Sequence, residues 1–159
     1  MPDMLVNLLK LEPLDPVIDQ MRSAGVVMRR AQPWDATPVR EFVLANFSRG
    51  WADEIMPGFY RQPISVYIAL REGRVIGFAA YECTRRAFFG PTGVVKAERG
   101  KGIGKALLVA SLHGLKEMGY VYGIIGGAGP TEFYARHCGA TLIPDGQPGI
   151  YVDGIREEP

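Results

Sequence analysis

Residues 94–108 constrain this chain most strongly, because a short apolar strand leads through three closely spaced glycines into an amphipathic helix. The glycines are Gly100, Gly102 and Gly104. The first N–H groups of a helix have no acceptor within the helix, and the helix dipole favours an anion beside them. Glycines let the anion approach the backbone without a Cβ in the way. The stretch therefore predicts a phosphate or pyrophosphate site, with a tight glycine turn as the alternative.

Local charge favours the same interpretation. Residues 96–105 carry four basic side chains and one acidic side chain, namely Lys96, Arg99, Lys101, Lys105 and Glu98. The whole chain is nearly balanced, with 18 basic and 17 acidic residues and a net charge of +1. That balance does not favour a nucleic-acid or membrane partner.

Two common phosphate-binding motifs do not fit the loop. A Walker A loop needs four residues between its glycines and a hydroxyl after its lysine, but Ala106 follows Lys105 and the spacing is one residue short. The dinucleotide fingerprint fails because Lys105 stands where its third glycine belongs. A nucleoside-triphosphate binder is therefore the weakest of the phosphate-binding hypotheses.

Composition limits the class of protein. The chain has 159 residues, 47% of them hydrophobic, which suits one globular domain. Glycine is enriched, and 14 of the 20 glycines lie between Gly90 and Gly149 without a collagen period. With only two cysteines and two histidines, we expect no metal site. The sequence shows no signal peptide or membrane span, so we expect a cytoplasmic protein.

Strand-like and helical segments alternate along the chain. Strands are predicted at 26–28, 64–70, 75–82, 88–95 and 120–125, with a closing hairpin at 142–143 and 149–152. Helices are predicted at 17–22, 35–47, 51–60, 103–118 and 130–137. Gly93 within a strand predicts a bulge or a close contact. Residues 1–25 are interpreted as an N-terminal helical extension and residues 26–159 as a single α/β domain.

The loop matches the pattern R-x-x-G-x-G, as Arg99, Gly102 and Gly104, and here the chain resembles the GNAT acetyltransferase superfamily. A second family motif carries Phe-Tyr on a short helix ahead of a glycine, and Phe133-Tyr134 precede Gly139. The resemblance covers residues 26–152. It implies an α/β (α+β) fold with a mixed, largely antiparallel central sheet of about six or seven strands flanked by helices.

The resemblance also implies roles for particular residues toward acetyl-CoA, the acyl donor substrate. Backbone contacts to the pantetheine arm fall on Val94, Val95 and Lys96. The pyrophosphate loop falls on Arg99, Gly100, Lys101, Gly102, Ile103, Gly104 and Lys105. Tyr134 falls on the tyrosine that protonates the departing thiolate in many members, a role that suits a phenol protonated at neutral pH. Gly127 replaces a frequent asparagine, and the spacing from Tyr134 to Gly139 is one residue longer than usual.

Acetyl transfer to an amine also needs a base and an acceptor site. Glu82, at the end of a predicted strand, is the first candidate for the general base, and Asp53 and Glu54 come next. A backbone N–H at residues 94–95 is expected to polarise the thioester carbonyl. We expect aromatic residues to line the acceptor site, namely Trp51, Phe59, Tyr60, Phe88 and Phe89. For His113 and His137 we expect structural roles.

The sequence therefore predicts an acetyl-CoA-dependent N-acetyltransferase that acts on a primary amine of a small molecule or peptide. The alternative is a non-catalytic acyl-CoA-binding protein of the same fold, acting as a sensor or a partner subunit. A homodimer is consistent with the family resemblance.

Overall fold

A computed structural model describes residues 1–156, which form seven β-strands and five α-helices. The strands are β1 Met4–Asn7, β2 Val27–Arg30, β3 Val66–Arg71, β4 Arg74–Tyr81, β5 Phe88–Val94, β6 Tyr122–Ile125 and β7 Thr141–Leu142. The helices are α1 Leu14–Ser23, α2 Ala36–Asn46, α3 Arg49–Glu54, α4 Ile103–Glu117 and α5 Thr131–Cys138. A 3₁₀ turn, Met56–Tyr60, follows α3 and occupies the second half of the helix predicted at 51–60.

The strands form one sheet in the order β2-β3-β4-β5-β6-β1-β7. Neighbouring strands run antiparallel except β5 and β6, which run parallel. This mixed, largely antiparallel sheet with flanking helices confirms the predicted fold class. The strands predicted at 64–70 and 75–82 are present as β3 and β4, which form a hairpin joined by a turn at Glu72 and Gly73.

The sheet is covered on both faces because side chains alternate along its strands. On β4, Ala79 and Tyr81 join a core cluster with α1 and α4. Phe78 and Ala80 face the other way and pack with α2 and α3. The longest helix, α4, is almost wholly buried. None of the helices within residues 1–156 is long and apolar enough to cross a membrane.

The N-terminal segment differs from its prediction. Residues 1–25 contain α1 but also β1, which lies inside the sheet between β6 and β7. Met4 faces Ile125 on one side and Leu142 on the other. The segment is therefore not helical throughout. The strand β1 was not predicted because four residues whose partners are distant in sequence leave no periodic signal. The domain boundary at residue 25 stays a prediction.

The predicted closing hairpin is wrong. Thr141–Leu142 form β7, but they pair with β1, and residues 149–152 form no strand. Within residues 1–156, β7 is an edge strand whose partner is β1 rather than a following strand.

A bulge in β5 separates two registers against β4. Ala79 pairs with Thr92, whereas Tyr81 pairs with Phe89, so Gly90 and Pro91 together face one residue of β4. Proline has no N–H to donate to the ladder, and a bulge bends the strand that contains it. The bulge thus lies at Gly90 and Pro91. Gly93 instead makes a close contact, because a Cβ there would lie 2.5 Å from the Phe47 ring.

Gly114 provides a test of the packing between α4 and β4. A Cβ at Gly114 would lie 2.3 Å from Cζ of Tyr81, which is 1% exposed. Glycine-to-alanine changes at exposed helix positions stabilise a protein by about 1 kcal/mol. Here we expect Gly114→Ala to lower the free energy of unfolding by about 1–3 kcal/mol, because the core is overpacked.

The matched control is Gly50→Ala in α3, where the nearest atom to a Cβ is Ser48 Oγ at 4.0 Å. We expect this variant to be as stable as the wild type or more stable. Urea unfolding of the three proteins makes the comparison. Equal stabilisation by both substitutions would contradict tight packing of α4 on β4.

Candidate functional site

A cleft of about 470 Å³ opens where β5 and β6 separate. The two strands pair only through Phe88–Ile124 and Phe89–Ile125, and β6 ends there. Beyond this point, β5 continues alongside β4 alone. Five parts of the structure form the cleft walls: β5, the end of β6 with the residues after it, the first turns of α4, helix α5 and two aromatic side chains from α3 and the segment before it. Their lining residues are Phe89–Val94 of β5, Ile125–Gly127 at the end of β6 and after it, Gly104 and Leu108 of α4, Phe133 and Tyr134 of α5, and the aromatic Phe47 and Trp51.

The separation of the strands leaves backbone donors facing the cleft. Val95 N–H donates to Ile76 O of β4 at 2.9 Å. Donors alternate in direction along an antiparallel strand, so Val94 N–H points away from β4 and into the gap. Val94 also lines the cleft, whereas Val95 and Lys96 do not. Of the two backbone donors expected at 94–95, only that of Val94 is therefore free to bind a ligand.

The glycine loop leads into α4 beside this gap. Gly100 and Gly102 have φ angles of +77° and +83°, which side chains rarely adopt. Ala106 N–H donates to Gly102 O at 3.0 Å, so the N–H groups just before it project from the helix end. The loop glycines thus shape the turn that exposes these donors.

Gly104 has a different role, because it lies within α4 and lines the cleft. A Cβ there would lie 3.8 Å from Phe133 Cζ and 3.9 Å from Val94 Cγ2, which are ordinary contacts. The fold would therefore accept a side chain at this position. What the glycine preserves is space in the cleft.

The basic side chains of the loop divide into two groups. Arg99 lines the cleft, and its Nε donates to Val94 O at 3.0 Å. Lys101 and Lys105 form ion pairs at 3.0 Å with Glu98 and Glu12 respectively. The positive charge predicted for the loop is thus partly neutralised. Neither lysine lines the cleft, and nor do the backbone positions Gly100, Gly102 and Ile103.

Glu98 is more than a passive loop residue. Its carboxylate accepts two hydrogen bonds from Arg71, at 2.9 and 3.0 Å, and one from Lys101. The hydrogen bonds from Arg71 and then Lys101 lower the pKa of Glu98. Glu98 thereby anchors the glycine loop to the end of β3.

Tyr134, for which the resemblance implies an acid role, lines the cleft. It is 6% exposed and packs edge-on against the rings of Phe89 and Phe133. Burial, with a smaller contribution from Cys138, raises the pKa of Tyr134 to about 12. The hydroxyl therefore stays protonated at neutral pH and is able to donate a hydrogen bond or a proton into the cleft.

Glu82 does not line the cleft. One of its carboxylate oxygens accepts from the Tyr120 hydroxyl and the other from Ala87 N–H, both at 2.6 Å. Its φ of +55° and its 7% exposure suit a residue that holds the turn between β4 and β5. Its role as general base stays a prediction from the sequence, and this placement does not support it.

A smaller cavity of about 160 Å³, here called the side pocket, adjoins the cleft. The two share Met1, Trp51, Phe89, Gly90, Pro91, Gly126 and Gly127 as lining residues. The side pocket adds Glu54, Thr84 and Tyr151. Glu54 is one of the carboxylates considered from the sequence.

The other predicted acceptor-site residues lie elsewhere. Asp53 forms an ion pair with Arg40 at 2.6 Å and does not line either cavity. Phe59 is buried in the core beside α2 and α3, and Tyr60 is 81% exposed. Phe88 packs under Gly126 and is buried.

The two histidines lie outside both cavities. His113 Nε2 lies 2.7 Å from Glu12 O, and His137 packs against the Phe133 ring. These contacts are consistent with structural roles.

Sequence reasoning missed Phe47, Thr84 and Tyr151, which no local motif marks. The Gly90-Pro91 pair was a usable signal, because a proline inside a predicted strand points to a bulge. Gly127, which replaces the frequent asparagine, has a φ of +55° and donates its N–H to Asp3 Oδ1 at 2.8 Å. The contact between Gly127 and Asp3 was not predicted, because it depends on β1, which the sequence did not indicate.

Solved structures with similar folds are acetyltransferases. A GCN5-related glucosamine N-acetyltransferase region of a fungal multi-domain GH3 β-N-acetylglucosaminidase aligns with a TM-score of 0.71 and 18% identity, over 89% of this chain and 19% of that chain. A GCN5-related N-acetyltransferase from Sphaerobacter thermophilus aligns with a TM-score of 0.66 and 19% identity, over 89% and 48%. The chain thus spans less than half the length of either protein.

A structure of comparable length is a GNAT family acetyltransferase from Brucella melitensis in complex with acetyl-CoA. It aligns with a TM-score of 0.53 and 20% identity, over 74% of this chain and 86% of that chain. At these identities the likeness shows the fold alone. Among curated proteins, none matches this chain in sequence.

The sequence itself matches a family. The profile described as "Acetyltransferase (GNAT) family" matches residues 30–140, which include the glycine loop, the cleft walls of β5 and Tyr134. Because this match covers most of the chain, the protein belongs to the GNAT acetyltransferase family.

Proposed function

We propose that this chain transfers an acetyl group from acetyl-CoA to a primary amine of an acceptor. The observation that carries the proposal is the separation of β5 from β6, which joins the N-terminus of α4 to Tyr134 through one continuous cleft. Acetyl-CoA fits this cleft chemically. Arg99 and the exposed N–H groups of α4 suit the pyrophosphate, Gly104 leaves room for it, and the free Val94 N–H suits the pantetheine amide.

In this proposal the residues of the loop have different roles in binding the pyrophosphate. Gly100, Gly102 and Ile103 hold the backbone donors in place, while Arg99 supplies the positive charge inside the cleft. Lys96, Lys101 and Lys105 lie outside it and contribute to the local potential.

The reaction forms a bond between the acceptor nitrogen and the acetyl carbon and breaks the bond from that carbon to sulfur. The amine gives up its protons to solvent or a base, and the sulfur leaves as a thiolate. In this proposal the buried Tyr134 hydroxyl donates a proton to the thiolate. Polarisation of the thioester carbonyl by a backbone N–H at 94–95 stays a prediction, because the free donor there, Val94 N–H, is assigned to the pantetheine amide.

The primary experiment combines binding and turnover. We expect acetyl-CoA to raise the unfolding temperature, because a ligand that binds only the folded state stabilises it. We also expect release of free CoA thiol in the presence of an amine panel. Stabilisation without CoA release from any amine would favour the non-catalytic acyl-CoA-binding alternative, and stabilisation by Mg-ATP instead would contradict acetyl-CoA as the ligand.

Homodimerisation and a cytoplasmic location stay predictions.

Gly104→Ala tests whether acetyl-CoA occupies the space beside Gly104, because the variant is expected to change acetyl-CoA binding without lowering protein stability. Because the added Cβ meets only ordinary contacts within the fold, we expect the unfolding temperature to stay the same or rise. The same Cβ occupies the proposed pyrophosphate space, so we expect the Kd for acetyl-CoA to rise about tenfold or more, roughly 1.4 kcal/mol. Calorimetric titration measures the Kd, with Gly50→Ala as the control. Unchanged affinity in Gly104→Ala would place the pyrophosphate elsewhere.

Tyr134→Phe tests the proposed acid. We expect kcat to fall about a hundredfold or more, with the Kd for acetyl-CoA nearly unchanged, because the lost hydroxyl acts on the leaving thiolate. The control is Tyr122→Phe on β6, whose side chain is 53% exposed and lies outside both cavities. An unchanged kcat for Tyr134→Phe would refute the acid role while leaving the family assignment intact.

The pH dependence gives an independent check. A pKa raised to about 12 leaves Tyr134 protonated throughout the assay range, so it contributes no loss of rate up to about pH 10. We expect kcat/KM to rise with pH as the acceptor ammonium deprotonates and then to level off. A loss of rate between pH 7 and 9 that disappears in Tyr134→Phe would show that Tyr134 titrates far below this pKa.

A further inference from the structure

We infer that the side pocket is the acceptor site, that Glu54 binds the acceptor ammonium there, and that the pocket selects small primary amines with an apolar body and no carboxylate. The inference rests on the proposed function and specifies its acceptor. It assigns to Glu54 a role in binding and specificity.

Glu54 is placed to bind a cation. It is the last residue of α3 and is half-buried, and one of its oxygens, Oε1, accepts a hydrogen bond from the Thr84 hydroxyl. Within residues 1–156, neither an ion pair nor a hydrogen bond engages Oε2. A half-buried carboxylate with a fixed orientation and a free oxygen, facing a cavity, suits a charge-assisted hydrogen bond from an ammonium.

The walls of the side pocket suit an apolar body. Trp51, Phe89 and Tyr151 contribute aromatic surface, and Pro91 contributes aliphatic surface. Trp51 is held by stacking on Phe47, with ring centroids 5.6 Å apart. Aromatic faces also attract cations, so the same walls favour the charged end of an amine.

The charges around the pocket disfavour an acceptor that carries a carboxylate. Met1, which carries an α-amino group, lines the pocket, but none of its described lining residues has a cationic side chain. Asp3 lies behind the pocket and accepts a hydrogen bond from Gly127 N–H. Burial first, and then Glu54 and Asp3, raise the pKa of Tyr151. An amino-acid carboxylate would meet like charge from Glu54 and Asp3, and no lining side chain would neutralise it.

The side pocket also adjoins the part of the cleft that Tyr134 lines. Because it shares Phe89, Gly90 and Gly126 with the cleft, an amine bound at Glu54 lies next to the wall that Tyr134 lines. The ammonium first loses one proton to water to expose its lone pair. The nitrogen then bonds to the acetyl carbon as the carbon–sulfur bond breaks, and the nitrogen releases its second proton. Arg99 and Gly104, at the proposed phosphate site, line the cleft but not the side pocket.

Binding of a probe amine tests the inference without requiring turnover. 2-Phenylethylamine is titrated into the wild-type protein in the presence of CoA, which carries no acetyl group to transfer. We expect calorimetry to detect binding of 2-phenylethylamine, and to show binding about tenfold or more weaker for phenylalanine and for the neutral analogue 2-phenylethanol. Equal or tighter binding of phenylalanine, or no binding of 2-phenylethylamine, would overturn the inference.

The variant Glu54→Gln removes the charge and keeps the shape, and Asp53→Asn is its matched control on the neighbouring residue. We expect Glu54→Gln to weaken binding of 2-phenylethylamine about tenfold or more, while acetyl-CoA affinity and the unfolding temperature stay close to wild type. Asp53→Asn should leave amine binding unchanged, because Asp53 pairs with Arg40 outside the pocket. Equal affinities for the amine in all three proteins would overturn the role of Glu54.

Turnover separates failure of this inference from failure of the proposed function. If 2-phenylethylamine binds through Glu54 but no amine releases CoA, the acceptor site stands and acetyl transfer fails. If CoA is released with 2-phenylethylamine, we expect Glu54→Gln to raise KM more than it lowers kcat. An unchanged KM in that variant would contradict the assignment even though the chain is an enzyme.

Discussion

The loss of pairing between β5 and β6 is the constraint on which the site depends. A parallel pair normally continues along both strands, but here Gly90 and Pro91 add a residue to β5 just where β6 ends. The bulge bends β5, and Pro91 has no N–H to donate to a neighbouring strand. The backbone donors of β5 that point away from β4 therefore face the cleft. The cleft is therefore a gap in the sheet, and its floor carries unpaired backbone groups that need a ligand or water.

The gap has opposite chemical character at its two ends. At one end lie Arg99 and the helix terminus of α4, where the dipole and the guanidinium favour anions. At the other end the cleft adjoins the side pocket, which Glu54 lines and behind which Asp3 lies, and aromatic side chains line both cavities. A substrate with phosphates and a partner with an ammonium would each be attracted to one end, so electrostatics alone would orient both along the cleft.

The sequence revealed the parts of the site that are local along the chain. Arg99, Gly104 and Tyr134, which line the cleft, belong to local motifs, so motif spacing was enough to single them out. Gly100 and Gly102 belong to the same motif but shape the turn outside the cleft. Glu82 was favoured because it ends a strand, yet strand position does not tell which groups its carboxylate meets in the turn that follows. The side pocket draws on α3, the turn after β4, the segment after β6 and Tyr151, and contacts among such distant segments leave no pattern in the sequence. The strand β1 was missed for the same reason.

The position of β1 has a consequence for how the chain folds. Strands β2 to β5 follow one another in sequence and in the sheet, so they can assemble as they are made. In contrast, β1 is synthesised first but pairs only with β6 and β7, near the other end of the chain. Contacts so far apart in sequence form slowly because a long loop must close. The cleft wall formed by β5 and the start of α4 can therefore form on a growing chain, whereas the wall that depends on the contact between Asp3 and Gly127 is completed last.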